Sequence, residues 1–428
     1  MNRPRIKINL IDFGLIILSI FNIIFENYNI YTNGIMGLIL LSYSIIFCIL
    51  SKNYFQFWIM SMIILYFNYS IVINDYLLEG IKINLPYYED IFYYGLLINL
   101  QVIFLSIIKS SLKKVEHENR RESLRDIRKD NALISVGMII IIVCGLVWGI
   151  NFNEGIGYIV RITSFYEYLY IFILAGLLFS KNHKILEATI VVLSVLVCLQ
   201  DLAMGGRITS LQIIIMMLVY FEKFLSRKKV SIGMLMGIVL FNIVGMLRNM
   251  LIMERLSIEY FFSRLTKNNF TIDTAYYAWY TSVTNVISKD LSNIKERLEN
   301  FLGFFFNIFG ISLNGYSVLP TLAKEKGLYN LGGGVVVSYF YFWFGIVGVF
   351  FVSLFVKKLL QVMVRFNYLK IVNVLSVIFC ITVPRWYLYT PLHLIRPMLI
   401  FAIIYCVLDV FDQLIKNKNL KIKIRKWI

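Results

Sequence analysis

Residues 230–247 read VSIGMLMGIVLFNIVGML, an apolar run without a charged side chain, and residue 248 is an arginine. The next long apolar run begins only at residue 334. Between them lies the longest interruption in a chain that otherwise alternates apolar runs with short gaps. This interruption, residues 248–331, holds the stretches AYYAWY at 275–280 and FLGFFFNIFG at 301–310. We interpret it as one large loop with short helices between two membrane spans.

The composition is that of an integral membrane protein. Hydrophobic side chains make up 59% of the 428 residues, and the mean hydropathy is +0.73. A soluble core does not need so much apolar material. The net charge of +17 would suggest nucleic acid as the partner of a soluble protein. Here the basic residues fall in the gaps between apolar runs, as in cytoplasmic loops, so we expect no nucleic-acid partner.

A spanning helix needs about 20 predominantly apolar residues. Runs of roughly this length predict an all-α, polytopic membrane protein with about twelve transmembrane helices, forming a single integral membrane domain over residues 1–428. The runs are 9–26, 34–50, 54–74, 91–109, 132–150, 157–180, 184–201, 208–225, 230–247, 334–356, 370–384 and 394–412.

Basic gaps alternate with neutral or acidic ones, and the positive-inside rule converts this alternation into a topology. Both termini are predicted to be cytoplasmic, with 413–428 as a basic cytoplasmic tail. Residues 110–130 form a charged cytoplasmic loop, interpreted as a solvated helix or otherwise as a contact for a partner or for lipid headgroups. The 248–331 loop is external, because loops longer than about 60 residues escape the charge rule.

Arginines recur at the predicted external ends of spans, where the rule disfavours them. A guanidinium binds phosphate oxygens in a bidentate manner and keeps its charge. A ring of arginines at the outer headgroup level therefore predicts a diphosphate site. The alternative is snorkelling of each side chain to lipid phosphates. The five are Arg161, Arg207, Arg248, Arg385 and Arg396.

The strongest local motif is DLAMGGRITS at residues 201–210. Gly205 and Gly206 permit close approach of the backbone. Thr209 or Ser210 is expected to cap the following span, so Arg207 and the helix N-terminus together form an anion site. The alternative is an ordinary glycine turn beside a snorkelling arginine.

Three side chains are candidates for activating a hydroxyl. Glu167 is predicted to lie roughly 15 Å into the sixth span, where a carboxylate is costly. Asp201 opens the glycine motif. His393 is the only histidine predicted to be external, and imidazole suits a general base near neutral pH. For Glu167 and His393 a purely structural role is the alternative.

Two further groups are candidates for substrate binding. Gly332, Gly333 and Gly334 open the tenth span and allow close approach to a substrate or to another helix. Aromatic rings in the large loop can stack on sugars: Tyr276, Tyr277, Trp279 and Tyr280. The sequence has no P-loop and no Asp-rich motif in a predicted external gap, so we expect no metal and no cofactor.

The glycine motif GGRITS at 205–210 and the triplet at 332–334, in this twelve-span layout, resemble the Wzy family of O-antigen and capsular polysaccharide polymerases. The related O-antigen ligases share with them a metal-independent, GT-C-like type of glycosyl transfer. Arg207 matches the Gly-Arg motif directly, and the other four arginines match by placement. Some members of the family have, in two external loops, an arginine followed eleven residues later by a glycine. That pattern is absent here, since Phe172 and Ala275 stand where the glycines would be.

The resemblance implies a polymerase that joins undecaprenyl-diphosphate-linked oligosaccharide repeat units at the outer face of a bacterial plasma (inner) membrane. Arg207 and Arg161 would bind the diphosphate, Arg385 and Arg396 would complete the charge, and Arg248 would link the large loop to them. Membrane lipid, a chain-length regulator and a flippase are the further expected partners. The alternatives are a flippase or transporter of the same lipid-linked sugars, and a glycan ligase.

Overall fold

The computed structural model describes residues 10–73, 91–112, 123–151, 161–204, 206–252, 259, 273–312, 318–328, 330, 333–366 and 368–425. Within these residues the apolar runs fold as helices. This is the expected outcome in hydrocarbon, because a helix satisfies its backbone N–H and C=O groups within its own segment.

The helices, in chain order, have the following bounds. They are α1 (Leu10–Ile24), α2 (Ile30–Ser51), α3 (Phe55–Val72), α4 (Ile91–Ile108), α5 (Ala132–Trp148), α6 (Ser164–Glu167), α7 (Leu169–Phe179), α8 (Lys184–Ala203), α9 (Ile208–Tyr220), α10 (Arg227–Ile252), α11 (Asp273–Leu291), α12 (Ile294–Ile308), α13 (Leu319–Glu325), α14 (Val336–Arg365), α15 (Lys370–Ile381), α16 (Val383–Leu388) and α17 (Leu392–Arg425). In the described part of the chain the strands are limited to β1 (Ile150–Asn151) and β2 (Arg161–Ile162), which pair antiparallel.

Six of these helices are long and apolar enough to cross a membrane: α2, α3, α4, α8, α14 and the Leu392–Lys416 part of α17. The prediction of a helical membrane protein is confirmed in this form. Five shorter apolar helices, α1, α5, α7, α9 and α15, coincide with further predicted runs. The total of about twelve spans, and their orientation, stay predictions.

The helices group into two units. Unit 1 comprises Met1–Glu118, Gly233–Phe366 and Val383–Leu394, and α4 lies at its centre, packed against α1, α2, α11 and α14. Leu97, Ile103 and Phe104 of α4 are fully buried. Because α4 is surrounded by protein, it is apolar on every side rather than along one stripe.

Polar side chains inside unit 1 are bonded to one another. Tyr387 donates its hydroxyl to Asn68 Oδ1 at 2.8 Å, and Asn68 Nδ2 donates to Ser44 Oγ at 2.9 Å. Lys109 Nζ lies 2.6 Å from Asp12 Oδ1 and 3.5 Å from the centroid of the Tyr43 ring. These bonds connect helices that are distant in sequence and fix which helices are neighbours.

Unit 2 comprises Asn119–Ile232, Asn367–Thr382 and Ile395–Ile428, with the short helix α7 packed against α5, α8 and α9. Asn131 caps α5, accepting from Ile134 N–H at 3.2 Å. The interpretation of 110–130 as a solvated helix is wrong for residues 123–130, which form turns. The reason is that Leu124 and Ile127 are buried and the segment is held by ion pairs rather than solvated.

Two predicted boundaries also need correction. The 157–180 run is not one helix over its described part, because Ile162 pairs with Ile150 and α6 is a single turn capped by Thr163. At the other boundary, α10 continues to Ile252, so Arg248 lies inside a helix and not at the start of the loop. The described part of the 248–331 segment holds α11, α12 and α13, of 19, 15 and 7 residues.

Candidate functional site

The glycine motif at residues 201–210 forms the turn between α8 and α9. Asp201 ends up 1% exposed, and its Oδ2 accepts from the Ser210 N–H at 2.8 Å and from the Ser210 hydroxyl at 2.7 Å. The expectation that Thr209 or Ser210 would cap α9 is therefore wrong. The cap comes from Asp201 on the preceding helix, and a carboxylate is well placed there because a helix N-terminus carries partial positive charge.

Gly206 is required by this cap. Its N–H donates to the Asp201 carbonyl oxygen at 2.8 Å, and a Cβ at position 206 would overlap Asp201 Oδ1. The glycine thus brings the backbone against the carboxylate that closes the turn. Gly205 lies outside the described residues.

Arg207 directly precedes α9 and is half-buried. It has no ion pair or hydrogen bond through its side chain among the residues that the structure describes. A guanidinium that is partly withdrawn from water and has no counter-charge beside it favours the binding of an anion, which would replace its lost hydration. The adjoining helix N-terminus adds positive potential, which Asp201 offsets from the buried side.

The other predicted arginines divide between the two units. In unit 2, Arg396 of α17 is half-buried and, like Arg207, lacks a side-chain partner within the described residues. Arg161, also in unit 2, pairs through its backbone with Asn151 in the β-ladder. In unit 1, Arg385 is half-buried in α16, and Arg248 lies in α10. The side chains of Arg161 and Arg248 lie outside the described residues.

The candidate bases have different surroundings. Asp201 is already engaged by Ser210, so the structure gives it a positioning role at the turn. Glu167 is half-buried at the end of the single-turn α6, and its predicted depth of roughly 15 Å within a continuous helix is wrong, because the helix that follows starts only at Leu169. His393 is 9% exposed and belongs to unit 1.

The glycine triplet and the segment after Pro384 meet in unit 1. Gly333 and Gly334 have φ values of 98° and 132°, in the region that favours glycine. Gly334 N–H donates to the Leu388 carbonyl oxygen at 3.0 Å. The Tyr339 hydroxyl lies 2.8 Å from the carbonyl oxygens of both Gly333 and Tyr389. The contact between these two segments could not be predicted from sequence spacing, because they are about fifty residues apart.

The triplet packs against protein. A Cβ at Gly334 would lie 2.6 Å from Asn285 Nδ2, and that amide donates to Ser338 Oγ at 3.1 Å. The Ser282 hydroxyl accepts from the Val335 N–H at 2.6 Å. Of the two uses considered for the glycines, approach to a neighbouring helix is the one that the structure contains. Gly332 lies outside the described residues.

The aromatic residues of the large loop need a similar correction. Trp279 and Tyr280 are fully buried, and the Trp279 ring lies 5.2 Å from the Tyr94 ring in an edge-on arrangement. Their faces are covered by protein, so the prediction that they stack on sugars is wrong for this structure. The side chains of Tyr276 and Tyr277 lie outside the described residues.

Two contacts at or beside the turn were not predicted. Ser210 connects α9 to Asp201, and the Tyr166 hydroxyl donates to the Val197 carbonyl oxygen at 3.0 Å on the adjoining turn of α8. Partners separated by nine residues, or by more than thirty, leave no local pattern. Among the described residues, no group of three or more His, Cys, Asp or Glu side chains is placed to hold a metal ion.

No protein-family model matches the chain, and no curated protein and no solved structure is significantly similar to it.

Proposed function

We propose that the protein is a glycosyltransferase of the lipid-diphosphate-using type, a polysaccharide polymerase acting at the outer face of a bacterial plasma membrane. It would have about twelve spans, a GT-C-like arrangement and both termini in the cytoplasm. Its substrates would be oligosaccharide repeat units on undecaprenyl diphosphate. The resemblance of residues 205–210 and 332–334 to the Wzy family supports this proposal.

The observation that carries the proposal is the state of Arg207. It is half-buried, it adjoins the N-terminus of a helix, and it lacks a counter-charge within the described part of the chain. A diphosphate leaving group is a suitable anion for Arg207, because a guanidinium binds two phosphate oxygens at once. Arg396 supports the same reading, as a second half-buried arginine in the same unit that has no partner among the described residues.

The reaction then needs no external energy source. A sugar hydroxyl of the incoming repeat unit attacks the anomeric carbon of the growing chain. The bond from that carbon to the diphosphate oxygen breaks, and undecaprenyl diphosphate leaves with the electron pair. Arg207 would stabilise the charge that develops on the leaving group, which is the kind of contribution worth roughly 10²–10³ in rate. The hydroxyl proton would pass to a base, and Glu167 is the remaining candidate in the same unit as Arg207.

Asp201 and Gly206 would act indirectly. The Asp201–Ser210 bonds hold the turn closed, and Gly206 makes room for the carboxylate. Together they would fix the position from which Arg207 extends. Asp201 is therefore proposed as a positioning residue in place of its predicted role as a base.

The decisive experiment uses the purified protein in detergent with repeat-unit lipid extracted from its source organism. A polymerase produces a ladder of products that differ by one repeat unit. A flippase produces none, because detergent micelles offer no second membrane face. A ligase transfers a glycan once to a different acceptor and produces no ladder.

Variants sharpen this assay. Arg207→Ala should reduce ladder formation at least 100-fold, and Arg207→Lys should restore part of it because it keeps the charge but not the bidentate fork. Arg227→Ala is the matched control, since Arg227 is an exposed arginine of the same unit. Full-length ladders from Arg207→Ala at normal protein levels would rule out its proposed role.

A further inference from the structure

Helix α12 presents an uncovered apolar stripe. Ile294, Leu298, Leu302 and Phe305 recur at spacings of four, four and three residues, and Phe309 extends the stripe just past the helix. Helical geometry places them on one face. Their exposed fractions run from 43% at Leu302 to 68% at Ile294. A continuous surface of large apolar side chains marks an interaction site rather than a surface kept in water.

The face of α12 that adjoins the stripe on the side of Phe301 and Phe304 is fixed to α14 within unit 1. The Phe304 ring lies 4.6 Å from the Trp343 ring, and the Phe301 ring lies 4.8 Å from the Phe344 ring. The indole N–H of Trp343 donates to Asn300 Oδ1 at 2.8 Å. These contacts hold α12 at a defined level along α14, beside residues 343 and 344.

At residues 343 and 344 the apolar side chains of α14 change from buried to exposed along one face. Before these residues, Val337 and Phe342 are fully buried. Gly345 then breaks the helix with φ 62°, and beyond it Val347 is 74% exposed and Phe351 is 58% exposed. Since α14 is one of the helices long and apolar enough to span a membrane, its exposed apolar face begins where α12 is attached. The stripe on α12 extends this exposed apolar surface of α14 onto the neighbouring helix.

The charged residues of α12 are concentrated in its first half, and its second half is uncharged. The helix starts with a capping box between Asn293 and Glu296, and Glu296 also pairs with Lys326 at 2.8 Å. Lys295, on the polar flank of the stripe, has a side chain that is 85% exposed. From residue 300 to residue 312 there is no charged side chain. A charged first turn, an apolar stripe and a Phe-rich second half are typical of helices that lie in the interface of a bilayer.

We propose that α12 is an interfacial membrane helix, and that bilayer lipid covers the stripe formed by Ile294, Leu298, Leu302, Phe305 and Phe309. The helix lies along the membrane surface with this stripe at the boundary between headgroups and acyl chains. This surface is independent of the proposed sugar chemistry. With α12 in this position, the middle of the 248–331 segment lies in the bilayer interface and does not extend as a loop above the membrane.

The test is the depth of nitroxide labels at single cysteines of the full-length protein in phosphatidylglycerol–phosphatidylethanolamine vesicles, in a parent whose native cysteines are replaced by alanine. At Leu298→Cys, Leu302→Cys and Phe305→Cys, collision with oxygen should exceed collision with a water-soluble nickel complex. At Lys295→Cys and Glu299→Cys the order should reverse. Water access at the stripe positions would overturn the proposal.

Protection of the stripe from both reagents would also overturn it, because a second copy of the chain or another protein would then be the covering surface. Label-to-label broadening would identify the second copy. A further measurement keeps the native cysteines: Phe305→Trp and Lys295→Trp in vesicles with brominated acyl chains. Relative to the unsubstituted protein, the added fluorescence of Phe305→Trp should be quenched at least twofold more than that of Lys295→Trp, and equal quenching would contradict the proposal.

Discussion

Arginines in two regions of unit 2 have opposite surroundings. In the turn segment 123–131, Arg125 and Arg128 both bind the Glu187 carboxylate, and Arg128 Nη1 also donates to the Tyr220 hydroxyl at 2.9 Å. In the turn at 201–210, Arg207 is also withdrawn from water but has no side-chain partner among the described residues. The arginines of the first region stabilise the fold, whereas Arg207 makes no such side-chain contact within the described part of the chain.

This difference is a better guide to function than residue type or glycine content. Gly333 and Gly334 looked like a substrate site in the sequence, yet they pack against Asn285 and Leu388 of the protein. Gly206 has a similar appearance, but the turn that it closes carries Arg207, whose side chain has no partner among the described residues. A half-buried charge that the described part of the fold does not pair is a better indication of a ligand than a glycine is.

The largest expected effect comes from breaking the satisfied region. Glu187→Ala leaves two partly buried guanidiniums without a carboxylate and removes the acceptor of the Tyr220 hydroxyl. We expect the free energy of unfolding to fall by about 2–3 kcal/mol, at or below the low end of the range for a fully buried ion pair, because these side chains are still 12–19% exposed. Thermal unfolding in detergent measures this loss.

The control for this variant is Glu325→Ala, since Glu325 is an exposed glutamate. It should change stability by less than about 0.5 kcal/mol. Equal melting temperatures for Glu187→Ala and the unsubstituted protein would show that the ion pairs contribute nothing, and the contrast with Arg207 would lose its basis.

A smaller effect is expected at the turn itself. Gly206→Ala forces a methyl group against the Asp201 carboxylate and weakens its bonds to Ser210. Loss of this cap should cost roughly 1–2 kcal/mol of unfolding free energy. The matched control is Gly237→Ala, where a Cβ meets no neighbour within 4 Å in helix α10. That change should be neutral or stabilising, so similar losses in both variants would contradict the role given to Gly206.

The smallest effect concerns pH and the satisfied region. Lys223 Nζ donates to Asp126 Oδ1 at 2.6 Å and, together with the N–H and hydroxyl of Ser123, lowers the pKa of the Asp126 carboxyl. Because the folded-state pKa is lowered, this stabilisation is present above the ordinary aspartate pKa of about 4 and is lost as pH falls through the lower folded value.

The corresponding variant is Lys223→Ala. It should lower the free energy of unfolding by roughly 0.5 kcal/mol at pH 7, since both side chains are partly exposed. The difference should shrink as pH falls below about 4. Melting temperatures of both proteins across pH 3 to 7 test this, and a difference that grows towards low pH would show that the sign is wrong.

Much of the fold follows from the sequence, since apolar length is a local property. The run 54–74 and helix Phe55–Val72 nearly coincide, and the run 334–356 begins within two residues of α14. The failures have non-local causes. Residues 157–180 are interrupted because Ile162 pairs with Ile150, and residues 123–130 form turns because they bond to side chains far along the chain.

The site was predictable only in part. Arg207 and Gly206 stand out in the sequence because an arginine and a glycine pair interrupt apolar runs. The role of Asp201 as the cap of α9 was not predicted, because it depends on Ser210, nine residues away across the turn. The burial of Trp279 and Tyr280 was missed as well, because an aromatic cluster in a loop has the same composition whether it faces a sugar or a helix.

The proposed role of Arg207 as a diphosphate ligand is tested most directly by the affinity of the purified protein in nanodiscs for undecaprenyl diphosphate. We predict that Arg207→Ala weakens this affinity at least tenfold, while its melting temperature and the affinity of Arg227→Ala stay unchanged. Undiminished binding by Arg207→Ala, or an equal loss in Arg227→Ala, would contradict the account.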